Sequence, residues 1–551
     1  MLAVAGSAIG FGNFLRFPGL AAQYGGGAFM IAYFCAFLLL GIPISWVEWS
    51  IGRRGGSLGG HSTPAIFYRL SGSRAWKYLG IMGVLAPLAL AMYYLYLEAW
   101  TLGYAWHTAT GDLNLNSTAE FGNFFVNFVG LTGDGHIFTG QSSALIFFLI
   151  VLLINFYLIF RGISRGIEWF CKWSMPVLLI TCLLILMRVL TMGTPNAEYP
   201  ERSISQGLGY MWNPDKIVLV DSSNGATLDM VPANSTPEEK SAFIAKIQAA
   251  HPTVKVEERS ISLLKGLLNP ELWLAAAGQV FFSLSVGFGT VCTYASYVRR
   301  SKDVALSSLT ANAANAATEV GLAGMTIIPA AVGFLGVAAA AGANTFGLGF
   351  NVLPHVFNSM PGGQLFGTLF FLLLFLAAVT SAISMLQPGV AFLEEFWGLR
   401  RIQSVSLLGL LITCGTLLVA WFTSDLLALD TLDFWFGNIC LYLTTGLYLY
   451  LFTIVWGTKK GMAELRHGSS IQMPRIIAVL ITWVTPLIML TIFVAWLFQN
   501  IIGKTCNYIT NILELRPGAV IPLVWVLLVA VFFAFVIRTS NKFHSNCKKP
   551  D

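Results

Sequence analysis

Arg16, Glu48, Glu98, Glu319, Glu394, Glu395 and Asp433 all stand within or at the ends of long apolar runs. A charge at such depth is expensive unless it is paired, hydrated or used, so function is the default reading of each. Asn13, Asn315 and the pair Thr380–Ser381 add neutral oxygens to the same runs. Carbonyl, amide and hydroxyl oxygens are what a hard cation selects. No His/Cys cluster suggests a transition metal, and "GFGNFL" lacks the third glycine and the preceding strand of a nucleotide loop. With no nucleotide site legible, ion gradients are left as the source of work.

Two segments must position these groups. "GSAIGFGNFLRFP" (Gly6–Pro18) interrupts the first apolar run with glycines, an asparagine, an arginine and a proline. "QVFFSLSVGFGTVCTYASY" (Gln279–Tyr297) does the same further on, and the tripeptide Gly-Phe-Gly recurs at 10–12 and 287–289. Glycine costs roughly 1 kcal/mol against alanine in a helix and proline roughly 3, so the interruptions need a reason. Glycine-broken spans at matching positions of two halves point to a binding site at mid-membrane. Each break exposes helix ends there, N–H groups suited to a carboxylate and carbonyls suited to sodium or an ammonium group.

The chain has 551 residues, 56% hydrophobic and 11% charged, with mean hydropathy +0.71, where a soluble domain carries about 25% charged residues. Runs such as Phe29–Trp49, Ala144–Phe160, Ile476–Phe498 and Ile521–Ile537 are long enough to cross a bilayer, and weaker runs bring the expectation to about twelve spans. The expected architecture is an all-α polytopic membrane protein, two inverted five-helix halves with spans 1 and 6 broken, followed by two more helices. Arg53, Arg54, Arg69, Arg74 and Lys77 crowd one loop, and Arg161, Arg165, Arg299, Arg300, Lys459, Lys460 and the tail from Arg538 to Lys549 mark others. The stretches 108–141 and 341–362 carry neither lysine nor arginine. Basic loops stay inside, so both termini are expected in the cytoplasm and the chain in the plasma (inner) membrane. The net charge of +6 then reflects topology, with no nucleic-acid partner. The eight cysteines are scattered singly, which predicts no disulfide or metal framework. Asn116 and Asn234 fit the glycosylation pattern. Because Met1 already lies in the first apolar run, cytoplasmic residues are expected upstream of it.

"GFGNFLRFP", "YGGGAFMIAYF", "GIPISWVEWSIGR", "YYLYLEAWTLGY", "RGISRGIE", "FFSLSVGFG" and "LDFW" resemble the neurotransmitter:sodium symporter family over nearly the whole chain. The resemblance implies two sodium sites. One would use carbonyls of Gly6, Ile9 and Ala377 with the hydroxyls of Thr380 and Ser381. The other would use the Ala8 carbonyl, Asn13, Ser283, Asn315 and the substrate's carboxylate, so that ion and solute complete each other's site. Ser283 stands where the family also shows threonine, and the hydroxyl survives the change. The substrate pocket would comprise Ala8, Gly12, Leu90, Tyr94, Phe282, Ser283, Ser285, Phe288, Ala382 and Met385, with Tyr94 on the carboxylate and Phe282 as a lid. Gly10 occupies the place of an aspartate in monoamine transporters, which implies that the substrate brings its own carboxylate. Leu90 and Met385 replace a valine and an isoleucine and reshape the side-chain end, which favours a small to medium neutral, hydrophobic amino acid. Glu319 stands where chloride-dependent members have serine, implying no chloride requirement and a candidate proton carrier on the empty return. Arg16 and Asp433, with Gln279 beside them, match the outer gate. Ser296, Tyr297 and Glu395 match the inner gate, although the family usually has aspartate where Glu395 stands, and its arginine and tryptophan belong upstream of Met1.

The reading is therefore a transporter core over 1–457 (spans 1–10), with an extracellular insertion at 213–268 between spans 5 and 6, then 458–551 as spans 11–12 and a cytoplasmic tail. "TPEEKSAFIAKIQAA" predicts a helix capped by Thr236 with Pro237 first, and "TVKVEE" a short strand. The function expected is sodium-coupled, chloride-independent symport of a neutral amino acid by alternating access, with a homodimer as the candidate assembly. The alternative is a non-transporting amino-acid sensor of the same fold. An enzyme would need a nucleophile–base pair or metal cluster within the spans, and none is legible.

Overall fold

A computed structural model describes residues 6, 8–139, 143–232, 235–498 and 506–540. The glycosylation signal at Asn234 and the basic tail beyond 540 lie outside the described residues.

Nine described helices are long and apolar enough to cross a membrane: α2 (Gly27–Ser57), α3 (Ala75–Thr110), α5 (Ile163–Leu190), α10 (Val304–Leu335), α12 (Gly363–Phe396), α13 (Arg401–Trp421), α14 (Ser424–Val455), α15 (Arg475–Leu497) and α16 (Pro517–Thr539). Ala144–Phe160 (α4) is apolar but shorter. The first span is a π-helical turn, Gly12–Arg16, continued by α1 (Phe17–Gln23). The sixth is split into α8 (Pro270–Ser283) and α9 (Thr290–Ser296). Together these account for the expected crossings. In α5 the buried residues Cys171, Ser174, Met175, Leu178, Cys182 and Ile185 recur every three or four positions, a single stripe. Its other faces are apolar too, with Trp173 65% and Ile180 59% exposed, a surface suited to lipid. By contrast α3 and α12, at the centre, are buried through most of their length.

Between spans 5 and 6 the chain builds a small α/β unit. It runs α6 (Ile204–Trp212), β1 (Lys216–Asp221), β2 (Thr227–Met230), α7 (Pro237–Ala250) and β3 (Val256–Ile261). The sheet order is β2-β1-β3, both pairings antiparallel. Leu219, Val231, Phe243 and Ile247 form a core of their own. The expected helix is present with a full capping box between Thr236 and Glu239. The expected strand begins at Val256 instead of Thr253, and β1 and β2 were not foreseen. Asn224–Gly225 between two short β-rich runs is a strong hairpin signal, and here it forms the turn that returns β1 into β2, closed by the Gly225 amide on the Asp221 carbonyl at 2.7 Å. The insertion thus departs from the all-α description of the rest. Arg53, counted above with the loop charges, is fully buried and donates from Nε to Glu464 at 2.8 Å.

Candidate functional site

The two breaks meet at the centre of the molecule. In span 1 the Asn13 side chain takes the place of a helical neighbour, its Oδ1 accepting the Gly10 amide at 2.8 Å. Gly10 must lack a side chain, because a Cβ there would lie 2.4 Å from Ser381 Oγ and 2.9 Å from the Tyr94 hydroxyl. In span 6 the chain leaves the helix after Ser283 and passes through positive φ at Ser285, Gly287 and Gly289 before α9 starts. The freed Gly287 amide is received by the carboxylate of Glu48 on α2, so Glu48 serves as a fixed acceptor for the unwound segment.

A continuous hydrogen-bonded chain links the breaks to α10. Asn13 Nδ2 donates to Asn315 Oδ1 at 2.8 Å, Asn315 Nδ2 to Ser283 Oγ at 3.2 Å, and Ser283 Oγ to Glu319 Oε2 at 3.2 Å. Glu319 also accepts from the Tyr33 hydroxyl and Gln279 Nε2, while Gln279 reaches back to the Gly12 carbonyl at 2.9 Å. Three donors converge on one carboxyl, the pattern an ionised, acceptor-only carboxylate satisfies. Asn13, Asn315, Glu319 and Ser283 are essentially inaccessible. A carboxyl group beside amide, hydroxyl and carbonyl oxygens is an all-oxygen set that fits a hard cation better than any soft metal. Gly6 packs against Thr380 on α12, whose hydroxyl donates to the Ala377 carbonyl at 2.9 Å. Of the second expected set, these contacts bring Gly6, Ala377 and Thr380 near one another.

Above this lies a cavity of about 310 Å³ lined by Phe11, Gly12, Arg16, Tyr94, Phe282 and Asp433 among others. The Tyr94 hydroxyl accepts the Phe11 amide at 3.2 Å and is hydrogen-bonded to Ser381. Of the expected substrate residues, Gly12, Tyr94 and Phe282 line the cavity, whereas Ala8, Leu90, Ser283, Ser285, Phe288, Ala382 and Met385 are buried and do not. Phe288 backs Phe282 edge-on, ring centres 6.0 Å apart. Arg16 stands 4.7 Å over the Phe282 ring and 3.8 Å from Asp433 Oδ1, a separation short of a tight ion pair. Its other nitrogen donates to Asn438 at 3.0 Å, and Tyr93 holds Asp433 at 2.7 Å.

On the opposite side Ser296, Tyr297 and Glu395 converge on one short loop. The His61 ring stacks on Tyr297 at 4.5 Å and its Nδ1 lies 3.1 Å from Ser296 Oγ. Glu395 accepts the His61 and Ser62 amides at 3.1 and 2.9 Å and the Ser62 hydroxyl at 2.5 Å. Those amides open the helix Thr63–Ser71, where an anion is favoured. Burial lowers the His61 imidazole below its usual value. Tyr33, Tyr93, Asn438, His61 and Ser62 were not picked out from the sequence. Only Ser62, ahead of Thr-Pro, carried a legible signal, that of a helix start.

A family model described as "Sodium:neurotransmitter symporter family" matches residues 1–127 and 260–545. A sodium-dependent transporter of Haemophilus influenzae is 27% identical over 511 residues, 90% of this chain and 96% of its own. The mouse sodium-dependent neutral amino acid transporter B(0)AT1 is 25% identical over 587 residues, 92% and 82% of the two chains. The crystal structure of MhsT in complex with L-phenylalanine superposes with a TM-score of 0.70 at 25% identity, covering 90% of this chain and 97% of that one.

Proposed function

Since the chain belongs to the sodium:neurotransmitter symporter family, a family of transporters rather than enzymes, we propose that it is a symporter moving a neutral, hydrophobic amino acid with sodium and without chloride. The observation that carries the reading is the chain Asn13–Asn315–Ser283–Glu319 joining both helix breaks to a buried carboxylate. In this reading one sodium ion is held by the Ala8 carbonyl, Asn13, Ser283, Asn315 and the substrate's carboxylate, and a second by Gly6, Ile9, Ala377, Thr380 and Ser381. Glu319 supplies the negative charge that chloride would otherwise bring, and is the candidate carrier of a returning proton. Gly10 leaves the amine end without a fixed counter-charge, so the solute must contribute one, as an amino acid does. Tyr94 orients its carboxylate, and the unwound carbonyls take its ammonium group.

Both termini are cytoplasmic, in this reading, and the chain sits in the plasma (inner) membrane as a core over 1–457 with two further spans. The insertion at 213–268 then lies outside, on the side of Arg16 and Asp433. Those two residues close with Phe282 over the loaded site before the Ser296–Tyr297–Glu395 side opens. Uptake of labelled amino acids from alanine to L-phenylalanine into proteoliposomes, under an inward sodium gradient against equal potassium, tests the proposal. Sodium-driven uptake supports it, and sodium-dependent binding without uptake would replace it with the sensor reading.

A further inference from the structure

Among the described residues, two contacts made by charged side chains tie this unit to the transporter core, and both lead to the cavity. At one contact the Lys216 ammonium, at the start of β1, donates to the Gly25 carbonyl at 2.7 Å and to the Tyr210 carbonyl. Gly25 lies in the turn that ends α1, and the Tyr210 hydroxyl fastens the same turn through the Ala22 carbonyl at 2.7 Å. The backbones meet so closely that a Cβ at Gly26 would stand 2.0 Å from the Tyr210 carbonyl oxygen. At the other contact Asp229 on β2, with no exposed surface, pairs with Arg202 at 2.8 Å. Asp229 Oδ1 also faces the amide of Val337 at 3.5 Å, the first residue of the short helix α11 (Val337–Ala341). Gly336, at φ +87°, lies flat on the Arg202 guanidinium, which a side chain there would strike at 2.7 Å. Just beyond α11, Asn344, Thr345 and Phe346 line the cavity opposite α1, and Thr345 packs on Gly19 of α1.

One folded unit with its own core therefore holds both walls of the entrance. Asp229 is fully buried and Lys216 half-buried, and charged groups so placed are costly unless their hydrogen bonds are kept, which favours one fixed spacing over a sliding contact. β1, β2 and α7 lie in the stretch that the family model does not match. We propose that the insertion is a brace that fixes α1 against α11 and so limits how far the cavity opens, with Lys216 and the pair of Asp229 with Arg202, just ahead of α6, as its positioning groups. That this cavity is the entrance for a solute rests on the symporter reading.

The test uses the full chain in detergent with Leu20→Cys, a cavity-lining position on α1, as reporter. The rate of labelling by a methanethiosulfonate reagent is measured in sodium, in potassium, and in sodium with L-phenylalanine. Lys216→Met and Arg202→Met, one at each contact, are each expected to raise the rate in sodium by about tenfold, the scale of a lost charged hydrogen bond. Lys216→Arg is expected to restore it. Rates unchanged in both methionine variants overturn the brace. If one variant does not fold, the other decides. A parent protein whose rate ignores sodium and L-phenylalanine overturns the symporter reading alone, because the brace is judged on the ratio of variant to parent.

Discussion

Glu319→Gln removes one negative charge and almost no volume, and its effect can be worked from the geometry. Ser283 Oγ lies 3.2 Å from Glu319 Oε2, and a hard cation bound by that hydroxyl sits about 2.4 Å from it. Ion and carboxylate are then about 5 Å apart, which at an effective dielectric near 20 corresponds to about 3 kcal/mol. Losing that attraction weakens sodium binding by roughly two orders of magnitude. The new amide leaves one of the three donors on this carboxyl without an acceptor, but that cost is present with and without the ion and cancels from the affinity. The assay is the sodium dependence of thermal stability in detergent, which needs no substrate, since an ion that binds only the folded state raises it by mass action. The midpoint should move up about 100-fold in sodium concentration. A midpoint that stays at the parental value would refute the electrostatic role given to Glu319.

Tyr94→Phe deletes the hydroxyl that meets Phe11 and Ser381. Amino-acid binding should weaken about tenfold or more while the sodium-dependent thermal shift persists. Gly10→Ala places a Cβ 2.4 Å from Ser381 Oγ. It should abolish amino-acid binding in a protein that still folds, as judged by size-exclusion elution and helical circular dichroism. Lys216 is held by burial at a pKa of about 7, against about 10.4 for a free lysine. The folded state therefore binds fewer protons between those values, so parental stability should rise as pH climbs from about 7 to 10, and that slope should vanish in Lys216→Met. A neutral amine keeps two N–H donors for the two carbonyls, so the contact itself persists across that range.

The breaks in spans 1 and 6 were legible because glycine, asparagine and proline within an apolar run have a local cost that only a special backbone explains. The oxygens of Asn13, Asn315, Thr380 and Ser381 were legible for the same reason, as polar groups where none is cheap, whereas Ser283 came only with the family resemblance. Their neighbours were not. Tyr33 is an ordinary tyrosine in an apolar helix, and only the packing of α2 on α10 brings its hydroxyl to Glu319. Asn438 and Tyr93 are tied to the Arg16–Asp433 pair by contacts across more than 300 residues of sequence, which no local pattern encodes. His61 reads as a loop residue until Tyr297 is stacked on it. Strands β1 and β2 of the insertion were missed for another reason, since "KIVLVD" is too short to be told from an apolar helical turn without its partner. The resemblance to the symporter family supplied roles for residues whose types alone left alternatives open, and Arg53 shows the opposite failure, a loop charge by sequence that is a buried ion pair in the fold.

The central claim is that a sodium gradient, without chloride, drives a neutral amino acid through this site. Its most direct test is uptake of a labelled neutral amino-acid panel into proteoliposomes with sodium inside-directed, repeated with chloride replaced by gluconate and with sodium replaced by potassium. The account predicts accumulation above equilibrium that needs sodium and ignores chloride. Accumulation that fails without chloride, or that proceeds equally in potassium, would contradict it.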